Sequence, residues 1–129
     1  MVLARSSAAP RLGEAWLCLG AVRQRLGHQW RARRAYRRAI AREETLGEAH
    51  NRLGILLVVR RRPAAALTHL LRAAELMPGE PSVRVHLAQA YAALARLEEA
   101  RAAVTDAERL GQDPQTLARL RSAFLGAPA

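Results

Sequence analysis

A period of 34 residues constrains the fold of this chain more than any other feature of its sequence. Displacing the sequence by 34 residues aligns small residues with small ones and leucine with leucine. Four columns recur three times without a gap: Leu19, Leu53 and Leu87; Gly20, Gly54 and Ala88; Ala32, Ala66 and Ala100; Ala39, Ala73 and Ala107. A fixed period of roughly 20 to 50 residues is the signature of repeat architectures. The period therefore predicts an array of three units.

Within each unit the apolar spacing predicts two helices. Apolar residues between positions 15 and 26 follow the spacing i, i+3, i+4, i+7, and Gly27 then ends the helix. In the second unit Pro63 suits the first turn of a helix, and in the third Gly111 fits a helix C-terminus. Asp113 and Pro114 open a last helix, predicted to reach position 125. With 28 alanines and 20 leucines in 129 residues, the composition also favours an all-α protein.

The three units resemble the tetratricopeptide repeat (TPR) family. The match is carried by Trp16, Leu19, Gly20 and Tyr36 in the first unit and by the repeated columns in the others; His50 and Arg84 replace the usual aromatic residue. The resemblance implies an all-α, right-handed solenoid of helix-turn-helix repeats with a C-terminal capping helix. It divides the chain into an N-terminal polar arm (1–12), repeats 1, 2 and 3 (13–46, 47–80 and 81–114), and a capping helix with tail (115–129).

The resemblance implies that the first helix of each repeat, helix A, lines a concave groove. We expect this groove to bind a peptide or partner helix, which makes the chain a non-catalytic interaction module, an adaptor or scaffold. Four groove residues, Leu17, Ile55, Val58 and Val85, are expected to be exposed in the free protein, as in partner sites, and Asn51 and Gln89 to hydrogen-bond a peptide. In the alternative, these residues pack on the capping helix or on a second copy. The full predicted set is Glu14, Leu17, Gln24, Glu48, Asn51, Arg52, Ile55, Val58, Val85 and Gln89.

One binding mode of the family is absent from this sequence. TPR domains that grip the C-terminal carboxylates of heat-shock chaperones resemble one another in a clamp of Lys, Asn and Arg residues. The corresponding positions here hold Leu17, Ala21, Arg52, Ser82 and His86. We therefore expect a different ligand, whose identity the sequence does not give.

A second function class follows from charge. The chain has a net charge of +10, and all 21 basic residues are arginines. Arg31, Arg34, Arg38 and Arg42 form a stripe on the second helix of repeat 1, which could neutralise phosphates or bind an acidic surface. Against nucleic acid, this helix faces the convex side in the family and aromatic stacking platforms are nearly absent. A homodimer through the exposed end of repeat 1 is a further alternative.

The sequence gives no support for an enzyme. It has one cysteine, Cys18, expected to be a small buried hydrophobe, and four histidines without metal-ligand spacing, of which His50 and His86 could approach each other. We expect no cofactor and no metal. The longest apolar run, 53–59, is too short to span a bilayer, and a lone cysteine favours a reducing compartment. These features predict a cytoplasmic protein.

Overall fold

The computed structural model describes residues 12–124, which form helices and contain no strand. The bounds are α1 Leu12–Arg25, α2 Gln29–Arg42, α3 Gly47–Val59, α4 Pro63–Leu76, α5 Pro81–Ala93, α6 Leu97–Arg109 and α7 Pro114–Phe124. Helices α1 and α2, α3 and α4, and α5 and α6 pack as pairs, each pair packs against the next, and α7 packs on the last. The predicted all-α repeat solenoid is confirmed. Apart from Leu12, the predicted N-terminal arm lies outside the described residues, as does the tail from 125 onward.

Small residues of the repeat let the two helices of a pair approach closely. A Cβ atom added at Gly20 would lie 2.5 Å from the Cε1 atom of Tyr36, and one added at Gly54 would lie 2.5 Å from the Cγ atom of Leu70. Both Tyr36 and Leu70 are fully buried. The glycine columns of the sequence therefore mark the points where a large residue of the second helix fills the space left by a missing side chain.

The turn inside each repeat is built in the same way three times. Gly27, Arg61 and Ala95 stand 34 residues apart, and all three have a positive φ, of 82°, 63° and 59°. After each, a backbone N–H closes the helix end by donating to a carbonyl five residues earlier, as from His28 to Arg23 at 2.9 Å. Glycine adopts this conformation without strain, whereas at Arg61 and Ala95 it costs about 1 kcal/mol of stability each.

The last helix is fixed at its start by a side-chain cap. The carboxylate of Asp113 accepts hydrogen bonds from the backbone N–H and the hydroxyl of Thr116, both at 2.8 Å. Such a cap satisfies a backbone donor that the first turn of a helix leaves free. The predicted capping helix is confirmed from Pro114 to Phe124. Among residues 12–124, no helix combines the length and apolar character needed to cross a membrane.

Candidate functional site

A groove of about 470 Å³ lies between α5 and α7. One wall is the first helix of repeat 3 and the other is the capping helix. The groove is lined by Val85, Gln89, Ala92, Ala93, Thr116, Arg119, Leu120 and Ala123. We call this set the terminal groove.

The terminal groove combines apolar walls with one unsatisfied acceptor. Val85, Ala92, Leu120 and Ala123 supply the apolar surface. The Oε1 atom of Gln89 is buried and has no hydrogen-bond partner among the described residues. A buried acceptor without a partner costs about 1–3 kcal/mol. If the side chain of Gln89 turns toward the groove on binding, a ligand N–H can donate to this oxygen and recover part of that free energy.

The edge of the terminal groove carries a free cation. Arg119 is exposed and makes no ion pair with any carboxylate in the described part of the chain, whereas Arg121, two residues later, is paired to Glu108 at 3.0 Å. The Arg121 pair ties α7 to α6, while the Arg119 guanidinium remains available. A negatively charged group bound at this edge would be favoured by its charge.

Two of the predicted groove residues, Val85 and Gln89, line the terminal groove. The expectation that Val85 is exposed in the free protein is wrong, because this side chain is 9% exposed and lies across the groove from Leu120. At Val85 the structure therefore agrees with the alternative prediction, in which groove residues pack on the capping helix.

Asn51, expected to bind a peptide, is 3% exposed and already hydrogen-bonded. Its Nδ2 donates to the hydroxyl of Ser82 at 3.1 Å, and its Oδ1 accepts from Nδ1 of His86 at 2.8 Å. The three side chains connect the first helices of repeats 2 and 3, and we call them the Asn51 clasp. The amide that we expected to contact a ligand therefore joins two repeats.

His86 is held neutral within the Asn51 clasp. Burial, and to a smaller extent the nearby positive charge of Arg52, lower the pKa of its imidazole to about 4. At neutral pH the ring donates from Nδ1 to Asn51 and carries no charge.

The other predicted groove residues are spread along the helices that precede the terminal groove. Glu14 is exposed, and Leu17, Ile55 and Val58 are partly buried. Gln24 accepts a hydrogen bond from the hydroxyl of Tyr36 at 2.5 Å. Glu48 and Arg52 form an ion pair at 2.8 Å within α3.

Sequence reasoning missed one whole wall of the terminal groove. Thr116, Arg119, Leu120 and Ala123 belong to α7, which the sequence identified as a cap and not as part of a site. The available signal was the helical spacing of Thr116, Leu120 and Ala123, which places these residues on one face of the last helix.

The predicted arginine stripe lies beside two tryptophans. A pocket of about 300 Å³ is lined by Trp16, Arg23, Trp30, Arg31, Arg34 and Arg38, which we call the tryptophan–arginine cluster. Arg42, the last residue of the stripe, is not among its lining residues. Trp16 is partly exposed and Trp30 is 55% exposed. The expectation that aromatic platforms are nearly absent is therefore wrong at this site.

The remaining chemistry-bearing residues also differ from expectation. Cys18 is exposed, so its expected burial is wrong. His50 contacts His69, at 3.1 Å between the Nδ1 atoms, and not His86; its Nε2–H donates to the carbonyl of Glu44 at 2.8 Å. Within residues 12–124 no group of three or more potential ligands could hold a metal ion.

Comparisons with known proteins agree with this architecture. The family model of the tetratricopeptide repeat matches residues 57–123. A mutant O-GlcNAc transferase of Thermobaculum terrenum superposes with a TM-score of 0.77 and 27% identity over 88% of this chain, which spans 21% of that protein's chain. The first TPR domain of the human RPAP3 protein gives a TM-score of 0.81 at 16% identity, with 92% of this chain and 94% of that one covered.

Two further solved structures bear on ligands. The first TPR of Spaghetti (RPAP3), bound to the HSP90 peptide SRMEEVD, superposes with a TM-score of 0.82 at 16% identity, covering 92% of this chain and 97% of that one. YrrB, described as a TPR protein with an unusual peptide-binding site, gives 0.78 at 22% identity, covering 90% and 60%. A search of curated proteins by sequence returned no match.

Proposed function

This chain belongs to the tetratricopeptide repeat family, and we propose that it is a non-catalytic interaction module that binds an extended peptide or partner helix in the terminal groove. The observation that carries the proposal is the buried, unpartnered Oε1 of Gln89 on an apolar groove between α5 and α7. Peptide backbones supply N–H donors at regular intervals, and apolar side chains match the walls.

The groove residues take different parts in this binding. Gln89 accepts a hydrogen bond from a ligand N–H and sets the register of the ligand. Val85, Leu120 and Ala123 contact one apolar side chain, and Arg119 pairs with a carboxylate at the edge. Ile55 and Val58, half-buried on the first helix of repeat 2, would contact a ligand long enough to extend beyond the terminal groove.

The comparisons support a peptide ligand without naming it. Among proteins of similar fold, one holds an HSP90 peptide and another is described by its peptide-binding site. Because none of the clamp residues of chaperone-binding TPR domains is retained at Leu17, Ala21, Arg52, Ser82 and His86, we expect this ligand to differ from a chaperone C-terminus. Ser82 and His86 are moreover engaged in the Asn51 clasp.

We propose no catalytic role for this chain by itself. The O-GlcNAc transferase resemblance extends over about a fifth of that protein, and that protein's activity is not transferred to these residues. The lone cysteine favours a cytoplasmic location, which remains a prediction.

The test is peptide selection followed by charge substitution at matched sites. Peptides are selected on the immobilised protein from a random library, and the dissociation constant of the best one is measured by isothermal titration calorimetry. Ala93→Glu places a carboxylate in the terminal groove, whereas Ala102→Glu places the same group on the outer face of α6. Both alanines are exposed and helical, so neither change disturbs the core.

Ala93→Glu should weaken binding about tenfold or more, because the longer side chain occupies part of the groove and its carboxylate competes with the ligand for Arg119. Ala102→Glu should change the dissociation constant by less than about twofold. Equal effects of the two substitutions would place the peptide elsewhere and reject the terminal groove. Sedimentation velocity on both variants tests whether a second copy of the chain occupies the groove instead. In that case Ala93→Glu would disperse a dimer and Ala102→Glu would not.

A further inference from the structure

The tryptophan–arginine cluster is a second concave site, and its chemistry differs from that of the terminal groove. Its six lining residues are all aromatic or cationic. The guanidinium carbon of Arg38 lies 5.0 Å from the ring centroid of Trp16, and that of Arg34 lies 5.9 Å from the ring centroid of Trp30. Each ring is thus held beside a cation, within the range of a cation–π contact.

The cations of this cluster have no acidic partner. Among residues 12–124, none of Arg23, Arg31, Arg34 and Arg38 forms an ion pair, although Arg23 donates to the carbonyl of Arg31 at 3.4 Å. In the rest of the described chain, six arginines are paired with carboxylates: Arg52, Arg72, Arg96, Arg101, Arg109 and Arg121. Residues 12–42 hold eight arginines against one glutamate, Glu14. The cluster therefore has an excess of positive charge, which a negatively charged ligand could neutralise.

The positive surface continues beyond the pocket. Burial lowers the pKa of Arg33, and the neighbouring guanidiniums of Arg60, Arg37 and Arg62 lower it further. Arg37, Arg60 and Arg62 are exposed. Cations therefore extend from the first repeat to the turn of the second, a length suited to a chain of negative charges rather than to a single ion.

Indole rings beside unpaired arginines are particular to the first repeat, since the partly exposed ring of Tyr91 in the third repeat lies beside Arg96, which is paired with a carboxylate. One period later, the positions of Trp16 and Arg23 hold His50 and Leu57, which are both buried. Repeat 1 instead presents a partly exposed indole and a guanidinium at these positions, with Trp30 at the start of the second helix. Codon usage could replace lysine by arginine throughout the chain, but it would not gather both tryptophans between four arginines.

We propose that the tryptophan–arginine cluster binds single-stranded nucleic acid, with a base stacked on Trp30 and phosphates held by Arg31, Arg34 and Arg38. Aromatic platforms beside a positively charged groove are the elements by which proteins bind single strands without reading their sequence. An acidic peptide would satisfy the cations, but its carboxylates have no flat ring to stack on the half-exposed indole. This site is independent of the terminal groove and of its proposed peptide ligand.

The intrinsic fluorescence of the protein reports on this site alone, because both of its tryptophans line the cluster. Oligouridylate and oligothymidylate of equal length are titrated at several salt concentrations, and binding is followed by tryptophan quenching and by anisotropy of a labelled strand. We expect quenching with both strands and a dissociation constant that rises steeply with salt. Tighter binding of one strand would identify RNA or DNA as the ligand.

Two double variants test whether the charges act at this site. Arg34→Gln with Arg38→Gln removes two cluster cations, and Arg101→Gln with Arg109→Gln removes two exposed cations from α6, so the net charge changes equally. The cluster variant should weaken binding about tenfold or more and lower the slope of log Kd against log salt by about 1.4, the value for two lost contacts to a single strand. Equal weakening by both variants would show general attraction to a basic protein and overturn the proposal.

Trp30→Leu tests stacking separately from charge. Loss of one stacked base should weaken binding by about 5- to 150-fold while leaving the salt slope unchanged, and Trp30→Phe should restore part of the affinity. Unchanged affinity in Trp30→Leu would overturn the proposal. So would binding of polyglutamate as tight as that of the oligonucleotides, since the site would then recognise acidic protein. Dispersal of an oligomer by the cluster variant, without nucleic-acid binding by the wild type, would identify a second copy as the occupant.

Discussion

Acidification to about pH 5 should destabilise the protein through the buried imidazole of His86. An unfolded histidine has a pKa of about 6.5, whereas burial lowers that of His86 to about 4. Between these pKa values the unfolded state binds a proton and the folded state does not. The contribution of His86 to stability is therefore fully present above about pH 6.5 and is lost as the pH decreases toward 4. The two pKa values give a loss of about 2 kcal/mol at pH 5 and about 3 kcal/mol below pH 4.

The assay is urea unfolding followed by far-UV circular dichroism at about pH 7 and pH 5. His86→Gln keeps a donor for Asn51 but removes the titrating group. The difference in unfolding free energy between wild type and this variant should therefore shift by about 2 kcal/mol in favour of the variant at pH 5. His28→Gln, which makes the same exchange at an exposed position, is the matched control.

Other titrating groups do not obscure this result. The pKa of His69 is also lowered, by burial first and then by His50 and Arg37, and its effect has the same sign but is common to both proteins. The pKa values of Glu44 and Asp113 are lowered by their hydrogen bonds to Arg72 and Thr116, so these carboxylates protonate in the folded state only at lower pH. If His86→Gln lost as much unfolding free energy as the wild type between about pH 7 and pH 5, the reasoning would be refuted.

Three further predictions follow from single contacts. Gln89→Met, which removes the unpartnered acceptor, should raise the unfolding free energy by about 1 kcal/mol yet weaken binding of the selected peptide several-fold. If calorimetry showed that stability and peptide affinity rise together, the groove contact would be rejected. Gly54→Ala should cost about 1–3 kcal/mol against the buried Leu70, whereas Gly79→Ala, which meets nothing within 4 Å, should be nearly neutral in urea unfolding. Asp113→Ala should lower the midpoint of urea unfolding, because the cap of the last helix is lost, and should weaken the selected peptide, because that helix is one wall of the groove. Unaltered peptide affinity would show that this wall takes no part in binding.

The sequence predicts the local structure of this protein well because its signals are local. Gly27 and Gly111 take the positive φ expected at helix ends, and Asp113 caps the last helix as predicted. The first helix begins at Leu12, before the first apolar residue of the expected pattern, because helix starts depend on few contacts. The 34-residue period fixes which helices pair.

The candidate site was less predictable, because its properties arise from residues far apart in sequence. Within its own repeat Asn51 occupies a position expected to contact a ligand, but its partner His86 lies 35 residues away and makes it part of an interface. Val85 follows the family pattern for an exposed groove position, yet the capping helix faces it. A repeat pattern describes one unit and its neighbour, so it does not give the position of a terminal helix outside the period.

The concentration of arginine in the first repeat should make this repeat unfold locally more readily than the rest of the array. Each unit of such an array is stabilised by its immediate neighbours, so strain at one end is not shared by the whole molecule. At low ionic strength, repulsion among the eight arginines of residues 12–42 should open α1 and α2 before the rest, and amide exchange there should quicken as salt is removed. A bound polyanion would reverse this, turning the fraying end into the slowest-exchanging part of the protein.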